Sequence, residues 1–292
     1  MACNKGKGRR SVYLTECVPV WGSASARGRR VEMEDAFVEV GHDAAEALRL
    51  PAHLFGVYDG HGGAEVANYC RDRIHIKDHW EKVFSDCFQR VDNEVSGEAS
   101  RFADDGVNEQ LQRKPVADGW VGSTAAVALV CASHVIIANC GDSRVVLSRG
   151  KEPHAMSMDH RPDRKDECAR IEAAGGMVVK WDVPRVSGDR CAKPYLISKP
   201  EVIVVPRAKD DDYLILASDG MWDVMSNEYA CRAARSQILL WYKQNGNGAD
   251  SDEGGEPTVK PADRTALLKG STDNITVTVI DLKPRRKIEV KS

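Results

Sequence analysis

The sequence predicts an α+β layered sandwich, and three observations carry that expectation. Short apolar runs of β-prone residues recur along the chain, bounded by Gly, Asp and Asn, as strands are. Between them lie a few longer stretches whose apolar residues fall at helical spacing. No segment repeats another, so strands and helices share one layered architecture.

Residues 1–10 are rich in Lys, Arg and Gly and read as a disordered basic N-terminus. Residues 12–21 are β-prone but contain Pro19, which cannot donate to a ladder, so an edge strand is expected. Residues 22–30 are small, polar and basic, and read as a turn. Residues 31–40 alternate apolar and acidic side chains, the pattern of a half-buried strand. A short helix or loop follows at 42–50. The apolar run 54–58 is a buried strand that ends in Asp59-Gly60-His61-Gly62-Gly63. Those glycines permit a tight turn and close approach of backbone to a ligand.

Residues 64–79 form a helix with Val66, Tyr69, Cys70 and Ile74 on one face, and 81–93 a second with Val83, Phe84, Cys87, Phe88 and Val91. Residues 96–117 are polar and loop-like. Strands are expected at 125–131, 134–139 and 145–149, with a turn at Cys140-Gly141-Asp142-Ser143. A helix at 164–174 stops at Gly175-Gly176. Short strands follow at 178–181, 195–197, 202–205 and 213–218, then a helix at 227–244. Residues 245–261 are rich in Gly, Asp and Glu and read as a mobile loop. A helix fragment at 262–269, a strand at 275–282 and a basic tail complete the chain.

The totals set wide bounds. A chain of 292 residues with 42% hydrophobic and 29% charged residues is an ordinary globular composition able to bury a large core. A net charge of −3 gives no reason to expect nucleic acid as partner. Nine scattered cysteines without a Cys-x-x-Cys pair argue against a disulfide framework or zinc site and for a reducing compartment. No apolar run is long enough to span a membrane, and a cytoplasmic or nuclear monomer is expected.

Acidic residues gather at strand ends. Asp59, Asp219 and Asp273 each adjoin an apolar β run, Glu34-Asp35 lies in the alternating segment, and Asp142 occupies a turn. Asp-Gly alone is common turn chemistry. If these ends converge, they make a cage of hard oxygen donors suited to Mg²⁺ or Mn²⁺.

The motifs that surround these carboxylates carry a resemblance. Arg30-Val31-Glu32-Met33-Glu34-Asp35, Tyr58-Asp59-Gly60-His61-Gly62-Gly63, Gly122-Ser123-Thr124-Ala125 and Asn139-Cys140-Gly141-Asp142-Ser143-Arg144 are followed by Asp159-His160-x-Pro162, Ala217-Ser218-Asp219-Gly220-x-Trp222-Asp223-Val224 and Asp273-Asn274-Ile275-Thr276-Val277. In this order they resemble the metal-dependent protein serine/threonine phosphatases of type 2C. Three further features resemble the plant group A members, which restrain abscisic acid signalling. They are Cys17-Val18-Pro19-x-Trp21-Gly22, Trp181 with Arg185-Val186, and Gly188-Asp189-Arg190-x-x-Lys193-Pro194-Tyr195.

The resemblance implies a four-layer α-β-β-α sandwich of two antiparallel sheets flanked by helices, with one phosphatase domain over residues 11–283 and a basic tail at 284–292. It implies two Mn²⁺ or Mg²⁺ ions bridged by Asp59, with the Gly60 carbonyl, Asp219 and Asp273 as further ligands and Glu34 and Asp35 holding coordinated waters. Asp142 and Asp223 are the candidates for a third, weaker ion. Arg30 is expected to grip the phosphate and His61 to protonate the leaving serine or threonine oxygen. The implied substrates are phosphoproteins, protein kinases among them, and the implied inhibitors are abscisic acid receptors contacting Trp181, Gly62 and Arg185. The basic tail, Lys283 to Lys287, reads either as a nuclear address or as a solvated end.

The chain departs from the family pattern after the flap that holds Trp181. A strand of the type Gly-Val-Leu-Ala-x-Ser-Arg is expected after Arg185-Val186, and here Ser187 runs straight into Gly188-Asp189. About nine residues are missing, more than a typical strand of about five to six. A central strand is therefore expected to be absent near 186–188, which leaves unpaired edges unless neighbours re-pair. The chain is also short near Ile76-Lys77-Asp78 and before Lys269-Gly270. An alternative reading follows, in which a catalytically impaired relative binds hormone receptors or kinases without turnover.

Overall fold

The computed structural model describes residues 19–40, 52–74, 80–97, 114–180, 184–187, 195–245 and 265–283. One five-stranded antiparallel sheet contains Val20–Ala26 (β1), Arg144–Arg149 (β8), Glu152–Ala155 (β9), Asp211–Ala217 (β13) and Ile275–Asp281 (β14), in the order β1-β14-β13-β8-β9. The other contains Ala36–Val40 (β2), Ala52–Tyr58 (β3), Ala125–Cys131 (β6), His134–Cys140 (β7) and Glu201–Pro206 (β12), in the order β12-β7-β6-β3-β2. Two small pairs stand apart from them. They are Gly60–His61 (β4) with Gly122–Ser123 (β5), and Met177–Lys180 (β10) with Pro184–Ser187 (β11).

Strand periodicity explains the layers. In β13, Leu214 and Leu216 point between the two sheets, where they meet Phe55, Val57, Ile137 and Ile280. Their neighbours Tyr213, Ile215 and Ala217 point the other way, against the helices Asp219–Trp222 (α4) and Asn227–Asn245 (α5). In β3, Leu54 and Tyr58 face the helices Glu65–Arg73 (α1) and Trp80–Val95 (α2), while Phe55 and Val57 face the other sheet. Both strands are buried on two faces, so they read as continuous apolar runs rather than alternating ones. Helices thus cover the outer face of each sheet, as the four-layer expectation requires. The helix Lys165–Ala173 (α3) packs beside β10. Residues 265–268 are helical, and Ala266 is buried against the α5 side of the core.

Several local expectations change. β1 runs to Ala26, through the segment read as a turn, because the small hydroxyls Ser23 and Ser25 pair across the ladder with Thr278 and Thr276 at 2.7 and 2.9 Å. Residues 31–35 are not strand; β2 begins at Ala36, and Val31 is 86% exposed. Residues 195–197 form a turn, and β9, β11 and α4 were not foreseen. The segments 1–10, 42–50 and 246–261 and the tail beyond 283 lie outside the described residues.

The expected missing strand leaves no gap among the described residues. β12 pairs directly with β7 over six residues, from Glu201 opposite Asn139 to Pro206 opposite His134. β11, which precedes it, folds back on β10 as a hairpin. Ile203 and Val204 are exposed on β12, the edge strand of its sheet.

Candidate functional site

The buried strand β3 delivers Asp59 to the end of the sandwich, and Thr124 fixes it there. The Asp59 N–H donates to Thr124 Oγ1 at 3.2 Å, and the Thr124 N–H donates to the Asp59 carbonyl at 2.8 Å. Gly60 follows with no room for a side chain. A Cβ there would stand 2.4 Å from the Glu34 carbonyl oxygen. On the other sheet, β13 ends at Ala217 and β14 starts at Ile275, so Asp219 and Asp273 emerge beside each other. Gly220 keeps the two ends close, since a Cβ would lie 1.9 Å from the Asn274 carbonyl oxygen.

Asn274 ties the third piece to this pair. Its Nδ2 donates to the Arg27 and Glu32 carbonyls at 2.8 and 3.1 Å, and its Oδ1 accepts from the Glu34 N–H at 2.7 Å. The turn 27–34 is thereby bound to the start of β14, with Arg30, Glu34 and Asp35 at the site. Two backbone groups of 31–35, the Glu32 carbonyl and the Glu34 N–H, are thus taken by Asn274 rather than by a neighbouring strand. Ser218 adds a further tie, donating from Oγ to Asp35 Oδ2 at 3.0 Å while accepting from the Thr276 N–H at 3.0 Å.

The electrostatics report a crowd of carboxylates short of positive charge. Burial pushes the Asp59 carboxyl well above its usual range, and Asp35, Asp219 and Asp142 repel its charge further. Burial, then repulsion by Asp142, Asp273 and Asp223, pushes Asp219 up to about 7. Asp35 is pushed up to about 6, chiefly by burial. Asp142 rises for the same first reason. Arg30 answers part of this charge, donating from Nη2 to Asp273 Oδ2 at 2.6 Å. Asp35 Oδ1 is buried without a hydrogen-bond partner.

The residues fit hard divalent cations. The donors are carboxylates and carbonyls, one buried oxygen lacks a partner, and added positive charge would relieve the repulsion. Among the described residues no three ligand side chains close on a single point. Asp273 is turned to Arg30 and Asp35 to Ser218.

Around this cluster stand the other expected residues. His61 is exposed at the mouth of the cleft, paired through its backbone with Gly122. Protein crowded round its ring holds its pKa below the usual value, against the pull of Glu34 and Asp142. Arg185 on β11 acts in the same direction as the crowding, so the hairpin carries its charge within reach of His61. Gly62 is exposed with φ of 75°, and Trp181 lies outside the described residues. Asp223 is exposed and held by Arg161, whose Nη2 donates to its Oδ1 at 2.8 Å. Asp142 feels the same arginine. The expected third-ion residues therefore stand near each other, with a cation beside them.

Sequence reasoning assigned no role to Asn274, Ser218 or Thr124, which set the positions of Glu34, Asp35 and Asp59. The available signal was adjacency: each lies within a carboxylate motif. Trp120 was also missed. It is 55% exposed, and its ring lies so close over Gly62 that a Cβ there would come within 2.3 Å of it.

Known proteins share both the sequence and the fold. The family described as protein phosphatase 2C matches residues 21–258. Protein phosphatase 2C 50 of Oryza sativa subsp. japonica is 54% identical over 97% of this chain and 88% of its own length. That alignment spans 341 positions, more than the 292 residues here, so the rice protein carries segments this chain lacks. Protein phosphatase 2C 77 of Arabidopsis thaliana is 43% identical over 97% of this chain and 76% of its own length. Among solved structures, a serine-threonine phosphatase 2C from Toxoplasma gondii aligns with a TM-score of 0.69 at 21% identity, covering 90% of this chain and 98% of that one. The catalytic domain of the phosphatase PstP, in complex with two manganese ions, gives 0.58 at 20% identity, covering 90% and 97%. These two likenesses speak for the fold.

Proposed function

This chain belongs to the protein phosphatase 2C family, as a metal-dependent protein serine/threonine phosphatase, and from that premise we propose which residues do the work and what they act on. The observation that carries the assignment is the half-buried group of Asp35, Asp59, Asp219 and Asp273. These residues are brought from four places in the chain to one spot where their charges repel. Asp59, the Gly60 carbonyl, Asp219 and Asp273 are the residues that would hold two Mn²⁺ or Mg²⁺ ions, with Glu34 and Asp35 placed to orient water beside them. Asp142 and Asp223, with Arg161 beside them, are the candidates for a further site. Ions held there would supply positive charge against the phosphate and a water acidic enough to serve as the nucleophile.

The chain's own residues do the rest. Arg30, exposed at the rim, exchanges its carboxylate partner for two phosphate oxygens, which its fork matches. His61 gives a proton to the serine or threonine oxygen as it leaves. Its lowered pKa makes the protonated ring a stronger acid. The experiment is hydrolysis of a phosphothreonine peptide with Mn²⁺ and with EDTA, beside Asp59→Ala. Turnover that needs Mn²⁺ and is lost in the variant supports the assignment; equal turnover in EDTA sinks it. An impaired relative would bind the peptide and leave it phosphorylated, a reading that the shortened scaffold favours.

The finer role is negative regulation of abscisic acid signalling, with protein kinases as substrates, in the cytoplasm or nucleus. Its support is the resemblance of the Trp181 and Arg185-Val186 flap to the group A pattern and the placement of Arg185 near His61. Hormone-loaded receptor should inhibit the peptide hydrolysis, and Trp181→Ala should relieve that inhibition. Unaltered turnover with receptor and hormone present would overturn it.

A further inference from the structure

A cavity of about 340 Å³ lies between the first helical layer and the sheet beneath it. Its depth is apolar: Val66, Cys70 and Ile74 from α1, and Phe88, Val91 and Val95 from α2. Its mouth is formed by His61, Asp118, Val121 and Leu196. That volume is in the range of roughly 300–1,000 Å³ typical of ligand sites. Asp92 and Ser96 also line it, and apart from His61 its lining takes no part in the metal and phosphate chemistry already described.

The cavity and the candidate active site share a wall. β5 lines the cavity through Gly122 and Ser123 and pairs with Gly60 and His61 on its other side. The His61 ring lies on Gly122, close enough that a Cβ would come 2.5 Å from Cε1 and Nε2. A residue joined to the hydroxyl that His61 protonates therefore passes the mouth of the cavity. Asp118 at that mouth is exposed and repels acidic side chains.

We propose that this cavity receives a large apolar side chain next to the phosphorylated serine or threonine of a protein substrate, and so selects substrates with Leu, Phe or Met beside the phosphoresidue. The inference rests on the catalytic reading of His61. It is a specificity site, continuous with the catalytic cleft, made from helices that carry none of the metal ligands.

The test compares phosphothreonine peptides that differ only in the flanking residues, with Leu, Phe or Asp on either side. The expected kcat/KM favours Leu or Phe over Asp by roughly 10–200-fold, the span that an apolar pocket commands. Ala117 lines the cavity from the loop before β5, and Ala117→Phe fills it. That variant should bring the apolar peptides to within about threefold of the Asp peptide while leaving nitrophenyl phosphate turnover unchanged. Leu196, half-exposed at the rim, gives a second variant with little bearing on folding. Leu196→Asp should weaken the same preference. Equal kcat/KM for all peptides in the wild type, or a preference that survives both variants, overturns the proposal. Peptide binding, read by fluorescence anisotropy, separates it from the catalytic reading. Apolar-selective binding without hydrolysis sinks the catalytic reading alone, and binding without selectivity sinks this one.

Discussion

A serine alkoxide leaves phosphorus only with a proton, whereas a nitrophenolate leaves without one, so the role of His61 divides two substrates. His61→Gln should lower kcat for a phosphopeptide by about 10²–10⁴ while holding nitrophenyl phosphate within about tenfold. Equal losses on both would move His61 from proton donor to scaffold. The clustered carboxylates make a second prediction at this scale. In the metal-free protein Asp35, Asp59 and Asp219 have pKa values above those of an unfolded chain, with Asp35 at about 6 and Asp219 at about 7. The folded state then binds more protons than the unfolded one, so stability falls as pH rises between about 4 and 7. In EDTA the melting temperature should drop between pH 5.5 and 7.5, and Asp219→Asn should flatten that drop. A melting temperature that rises over the same interval would count against the cluster.

Among the elements, the turn 27–34 is tied to the start of β14 chiefly by one side chain, with the Arg29 N–H adding a bond to the Thr272 carbonyl. Asn274 makes three hydrogen bonds to this turn, two of them to the Arg27 and Glu32 carbonyls. Asn274→Ala should cost about 1–3 kcal/mol in chemical denaturation, from buried groups left unpaired, and should weaken Mn²⁺ activation more than it lowers peptide binding. The edge strand β12 predicts the opposite kind of result. Ile203 and Val204 are exposed on an edge with no partner strand beyond it among the described residues. Val204→Lys should change stability by no more than about 0.5 kcal/mol and reduce aggregation on heating, measured by light scattering. What could be read in advance follows the same lines. β3, β13 and β14 were legible because both faces are buried, so their whole length is apolar. β9 was not, since Glu-Pro-His-Ala at an open edge has no apolar face to show. Residues 31–35 misled because acidic side chains aimed at the site alternate with apolar ones as a strand's do. The candidate carboxylates stand out in the sequence through their adjoining glycines, but the hydrogen bonds of Asn274 and Ser218 depend on segments over 180 residues apart. The cavity beside His61 depends on how two helices meet a sheet, which no local pattern records.

At the scale of the molecule, the site straddles the two sheets. Asp59 comes from the end of β3 in one sheet, and Asp219 and Asp273 come from the ends of β13 and β14 in the other. Leu214, Leu216, Phe55 and Val57 hold the sheets together through apolar contact along their length. At the site end this packing is opposed by carboxylates that repel across the seam. A divalent cation held at this end would therefore act as a cross-link between the sheets as well as supplying charge for catalysis. Binding only the folded state, it stabilises by about 2.7 kcal/mol at a concentration of 100 times its Kd. For a domain larger than 150 residues each kcal/mol moves the melting temperature by about 2–4 °C. Saturating Mn²⁺ should therefore raise the melting temperature by several degrees, and EDTA should reverse it. Asp219→Asn separates this cross-link from general salt effects, because it removes a ligand and a repelling charge together. The variant should melt above the wild type in EDTA and below it in Mn²⁺, so that the two curves cross. A wild type whose melting is indifferent to Mn²⁺, or a variant that still gains the full shift, would mean that the ions do not join the sheets.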